Sequence, residues 1–113
     1  MPTVDFVQDG GAIDYTPSSI VVAGSVIVVE DLVGVTKLDI PADVQGVLHV
    51  SGVYDFPKAT GVATAIALGK TVYWDVADSE AKEDSESGAN KLIGKVIKAA
   101  ADADTKVRVR MSQ

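Results

Sequence analysis

Three groups of residues could carry chemistry. Gly69-Lys70-Thr71 has the ending of a phosphate-binding loop, in which backbone amides and a lysine surround phosphate oxygens. The full pattern needs a glycine five positions before Gly69, where Thr64 stands, and a helix directly after the lysine. Val72-Tyr73-Trp74 reads instead as a strand, so the triplet is a turn opening a strand and nucleotide hydrolysis is rejected. The single histidine, His49, precedes Ser51 by two positions on the same strand face, with Asp55 further along. A nucleophile, a base and an orienting acid must converge, which side chains spaced along one flat face do not do. His49 is read as a strand residue at the surface or at a subunit contact. Finally, Asp75, Asp78, Glu80, Glu83, Asp84 and Glu86 invite a calcium loop beginning at Asp75. Its third position is Ala77 and its sixth is Glu80, so only Ser79 and Glu86 fit the required pattern. No high-affinity site is expected there, although weak cation binding stays open. One histidine and no cysteine make a zinc set unexpected, and nothing singles out a carboxylate pair. No catalytic residue, cofactor or metal ligand is assigned.

The elements that would position these residues centre on 46–75. Leu48, Val50, Tyr54 and Phe56 alternate with Val47, His49, Ser51 and Asp55, the two-residue period of one long, half-buried strand. Pro57 to Gly61 forms an elbow, and a second strand ends in Tyr73-Trp74-Asp75, with Val72 and Trp74 facing one way. Tyr54, Phe56, Tyr73 and Trp74 are expected to anchor the core, since such rings bury about 150–250 Å² each.

The remaining chain reads as short strands and turns. Val4 to Gln8 is a strand or an extended arm, and Asp9-Gly10-Gly11 turns it toward Ala12–Tyr15 as a hairpin partner. Val26–Val29 reads as a strand buried on both faces, and Glu30-Asp31 joins it tightly to Leu32–Leu38. Gly34 in that strand marks a bulge or a close backbone approach. Asp39 to Gln45 is a loop, and Val62 to Leu68 is either helical or extended. Asp78 to Asn90 is expected to be an exposed, mobile loop. Lys91–Ala99 and Thr105–Met111 are strands; in the second, Val107, Val109 and Met111 point inward while Lys106, Arg108 and Arg110 point outward. The expected fold class is all-β, a small single-domain barrel or sandwich of about eight short strands with at most one short helix. Its edge strands would need cover, which neighbouring subunits could supply.

The 113 residues suffice for one core, and the chain is read as a single domain, 1–113. Without cysteine, disulfides are excluded. No apolar run approaches the roughly 18 residues of a membrane helix, and the first residues lack a basic and an apolar signal region, so neither a membrane partner nor secretion is expected. A net charge of −6 argues against nucleic acid as a partner. Acid crowds residues 75–86, whereas Lys91, Lys95, Lys98, Lys106, Arg108 and Arg110 dominate the C-terminal quarter. That is either a solvated charge pattern or a means by which opposite ends of subunits attract one another.

Several pieces, in order and spacing, resemble a known family. They are Phe6-Val7-Gln8-Asp9-Gly10, Ile13-Asp14-Tyr15-Thr16, Val33-Gly34-Val35, and Gly52-Val53-Tyr54-Asp55-Phe56-Pro57-Lys58-Ala59. Gly69-Lys70-Thr71-Val72-Tyr73-Trp74-Asp75, Leu92-Ile93-Gly94 and Val107-Arg108-Val109-Arg110 complete the set. Together they resemble the bacteriophage and prophage capsid cement, or head-decoration, proteins. Two departures stand out: Ala42-Asp43 occupies a usually glycine-containing turn, and Lys95 and Lys98 decorate a usually more apolar strand. The resemblance implies a non-enzymatic protein that binds the outside of an expanded head and bridges major capsid protein subunits, often as a homotrimer. It would reside in the host cytoplasm before assembly and on the virion exterior afterwards. Within that role, Thr3, Val4, Asp5, Phe6, Val7 and Gln8 are candidate capsid contacts, because an arm with apolar residues near a chain end can add to a foreign sheet edge; Phe6 folding back into its own core is the alternative. Arg108 and Arg110 are candidate subunit contacts. A competing class is a small β-barrel module recognising carbohydrate or a host surface through Trp74 and the tyrosines, which requires Trp74 to be exposed. A hydrolase would need a hollow joining His49 to a carboxylate.

Overall fold

A computed structural model describes residues 10–112. Among them, nine strands form two antiparallel sheets and no closed barrel. The first sheet has the order β1 (Ala12–Tyr15), β4 (Gly46–His49), β3 (Leu32–Val35), β2 (Val26–Val29). The second has the order β5 (Gly52–Pro57), β9 (Lys106–Met111), β8 (Lys91–Lys98), β6 (Thr71–Asp75), β7 (Glu80–Lys82). This second sheet curls until β7 comes round beside β5, without pairing to it. β3 packs against β8 and joins the two sheets through Val33 and Val35. The expected all-β class is what the chain adopts.

The period-two pattern of 46–56 hides a break. β4 ends at His49, β5 begins at Gly52, and the two belong to different sheets. Gly52 turns the chain with φ +116°, a backbone state that residues with a Cβ rarely adopt. Val50 donates its amide to the Gly11 carbonyl (3.1 Å), and the Tyr54 hydroxyl donates to the Ser51 carbonyl (3.1 Å), pinning both sides of the corner. The alternation survives although Leu48 and Phe56 are buried in different places: Phe56 joins the core of Val33 and Val35, whereas Leu48 covers Gly34 on the opposite face of the first sheet.

Phe56 lies 5.9 Å from Trp74 and 6.5 Å from Tyr54, the latter edge-on. Burying Phe56 rather than exposing it is worth about 2–3 kcal/mol. Tyr73 is not part of this group. It follows Val72 in β6 and therefore lies on the opposite face of the sheet, beside Leu92 and Arg110. Gly34 makes the close approach expected of it: a Cβ there would sit 2.7 Å from both methyl carbons of Leu48.

Other expectations are corrected. Val26–Val29 is an edge strand whose residues are half-buried or exposed, not covered on both faces. It turns into β3 through Glu30 at φ 53°, which leaves its other side without a neighbour among the described strands. Ala12–Tyr15 pairs with β4, Ala12 opposite His49, and the expected hairpin partner Val4 to Gln8 lies outside the described residues. Residues 62–68 form no helix: turns at 62–63 and at Leu68 flank a single bridge, in which Ile66 exchanges two backbone hydrogen bonds of 2.9 Å with Ala100. The acidic run 78–90 is not simply a loop. It supplies β7, whose Ala81 is buried opposite Trp74, and a short 3-10 turn at Glu86–Gly88. Asn90, also buried, fastens its far end by donating to the Asp84 carbonyl (2.8 Å).

Candidate interaction surfaces

The residues with chemical potential are placed apart. His49 and Ser51 line a shallow groove of about 640 Å³ with Asp14, Lys37 and Tyr54. No hydrogen bond joins His49 to Ser51 or Asp14 among the described residues. Asp55 instead accepts a two-pronged contact from Arg108, Nε at 3.0 Å and Nη2 at 3.2 Å. That guanidinium, by hydrogen bonding, holds the Asp55 carboxyl below its ordinary range. Trp74 lies in a different depression, at the boundary of the two sheets, and is 6% exposed. A stacking platform for sugars needs an open ring face, which Trp74 does not offer, and a triad needs convergence, which His49, Ser51 and Asp55 do not show. Gly69, at φ +88°, closes a turn and Thr71 begins β6, so the glycine-lysine-threonine triplet opens a strand.

The acidic stretch closes on a lysine of its own. Lys82 Nζ donates to Asp75 Oδ2 (2.8 Å) and to Asp78 Oδ2, while the Asp78 amide donates to Asp75 Oδ1 (3.2 Å). The Lys82 hydrogen bond, and after it the Asp78 amide, lowers the Asp75 pKa from its ordinary 3.8. The two carboxylates raise that of Lys82 in turn. A depressed carboxyl pKa stabilises the fold above the unfolded value, and that contribution is lost as pH falls through the folded one. Asp75→Asn should therefore lower the urea midpoint at pH 7, and its deficit against the parent should shrink well below pH 3.8. Trp74 fluorescence reports both; a deficit independent of pH would remove this role.

Two surfaces remain. One is apolar: Ile20, Val22, Leu38, Val44 and Val47 are all largely exposed. Val21 pairs with Ile40, which brings the first two beside the Leu38–Val47 segment. That segment encloses a hollow of about 260 Å³ lined by Leu38, Ile40, Pro41, Val44 and Val47. Exposed apolar residues gathered this way mark contact sites. The turn-rich spelling of 39–45 concealed them; the signal was Leu38 and Val44 in a stretch whose other residues are largely turn formers. The second surface is the outer face of β8 and β9, where Arg108 and Arg110 lie as expected, exposed and alternating with buried Val107 and Val109. Residues Thr3 to Gln8 lie outside the described residues. No helix among the described residues is long and apolar enough to cross a membrane.

A sequence model of the phage cement proteins matches residues 7–111. The chain belongs to the phage cement protein family. No curated protein and no solved structure matches it. Cement proteins are structural and capsid-associated, which agrees with a body whose rings are buried and whose distinctive features lie on its outer surfaces.

Proposed function

We propose that this chain binds the outer surface of an expanded phage head and stabilises it by bridging major capsid protein subunits, without catalysis. The family match over residues 7–111 carries this reading. The chain acts as one domain, 1–113, with residues 1–8 as an extended arm whose Thr3 to Gln8 meet the capsid. It works as a homotrimer with Arg108 and Arg110 at subunit contacts, waiting in the host cytoplasm and ending on the virion exterior. The exposed apolar patch around Leu38 and Val44 supports a docking role. Many identical weak contacts repeated over a shell add up to strong retention.

The test is co-sedimentation with expanded heads lacking the protein, followed by heating. Binding and a higher temperature of head rupture are expected; absence from the pellet would overturn the reading. Deletion of residues 1–8 should weaken binding while the β circular dichroism is unchanged. Loss of the fold would make the arm part of the core instead.

A further inference from the structure

Strands β8 and β9 carry Lys95, Lys98, Lys106, Arg108 and Arg110 on one exposed face and contain no acid, in a chain of net charge −6. The register makes the arrangement costly. Lys95 stands directly opposite Arg110, and Lys98 directly opposite Arg108. Like charges facing one another across antiparallel strands destabilise a sheet. Among the described residues Asp55 on β5 answers Arg108 alone, and Lys95 finds only the Thr71 hydroxyl (2.9 Å). Between the cations lies a hollow of about 290 Å³ whose apolar lining is Tyr73, Leu92 and Ile97. An apolar centre within a charged rim is the anatomy of a protein interface.

The complementary charge is present on the same chain. Glu83 and Glu86 are exposed, follow directly on the β7 edge of this sheet, and make no ion pair among the described residues. We propose that the basic outer face of β8 and β9 receives the acidic 83–86 segment of a second copy of this chain, head to tail. A contact that joins two different patches leaves the pair with one patch of each kind still free, so rings can close by repetition. Opposite charge across the contact supplies orientation and rapid encounter, and it excludes face-to-face pairing of two basic sheets. The proposal rests on copies of the chain associating, as proposed above, and is independent of capsid binding.

Sedimentation velocity on the full chain and two charge-reversed variants tests it. One variant carries Lys95→Glu with Arg110→Glu, the other Glu83→Lys with Glu86→Lys. The parent should associate at about 0.1 M salt and dissociate near 1 M, where screening shortens to about 3 Å. Each variant alone should sediment as a monomer, and an equimolar mixture should associate again, because each variant's patches complement the other's, although strict alternation closes only even-membered rings. Should a reversed variant fail to fold by circular dichroism, Lys95→Gln with Arg110→Gln replaces it and should weaken association at least tenfold. The single change Lys95→Glu should raise the thermal midpoint of the monomer, by placing an acid opposite Arg110, while still weakening association. A defect of folding alone would move both quantities downward. Association of the parent that ignores salt and both reversals would overturn this contact and leave assembly standing. A parent that stays monomeric at low salt would overturn the contact and solution assembly together, with head binding judged separately by co-sedimentation.

Discussion

Gly94→Ala is expected to lower the stability of this protein by about 3 kcal/mol or more, a large share of what a domain of this size has. A Cβ on Gly94 would collide with the main-chain carbonyl of Arg110 and come within 2.8 Å of the Ser112 nitrogen. Both obstacles are backbone of the adjoining strand. A side chain could swing away, but here β9 itself would have to move, and it is the strand that joins β5 to β8. Gly34 makes a useful contrast, because the obstacle there is the Leu48 side chain, which can change rotamer. Urea unfolding followed by Trp74 fluorescence measures both; a loss under about 1 kcal/mol for Gly94→Ala would show that the two strands separate easily.

Lys58→Met should cost about 2–4 kcal/mol despite removing a buried charge. Lys58 is 5% exposed, and its ammonium donates to three main-chain carbonyls: Ala59 at 2.7 Å, Ala101 at 3.0 Å and Asp104 at 3.0 Å. The Thr64 hydroxyl stands at 3.5 Å. Methionine keeps the length of the stem and leaves those carbonyls without a donor. The group ties the end of β5 to the turn between β8 and β9, so losing it should also loosen residues 59–66. Hydrogen exchange at Gly61 and Ile66, whose amides donate to Asp102 and Ala100, reports that loosening. A variant with parental midpoint and parental exchange would show that water satisfies the carbonyls equally well.

Much of this was legible in the residues. Strict alternation in Lys106–Met111 set the inward and outward faces of β9, and Gly34 announced a close neighbour. Alternation could not say to which sheet a residue belongs. Leu48 and Phe56 kept step through a corner that Gly52 creates, so one strand was read where there are two. Polarity misled in 78–90, where Ala81 alone needed covering and Lys82 neutralised two neighbours, enough to hold a three-residue strand. Lys58 lies in the elbow expected over Pro57 to Gly61, and nothing local predicts an ammonium ringed by carbonyls that come in part from residues 101–104. Of the surfaces, Arg108 and Arg110 were found from period alone. That Arg110 stands opposite Lys95 and, past the bulge near Ile97, Arg108 opposite Lys98 is something that only the paired strands reveal.

The order of the larger sheet also governs how the protein can be made. Among the described strands β5 has a single hydrogen-bonded neighbour, and that neighbour is β9, the last of them in sequence. On a ribosome, Phe56 therefore emerges long before the segment that will shelter it. The nascent chain must hold this aromatic strand unpaired until the segment around Val107 has been made, so closure of the sheet comes late in the synthesis of this domain.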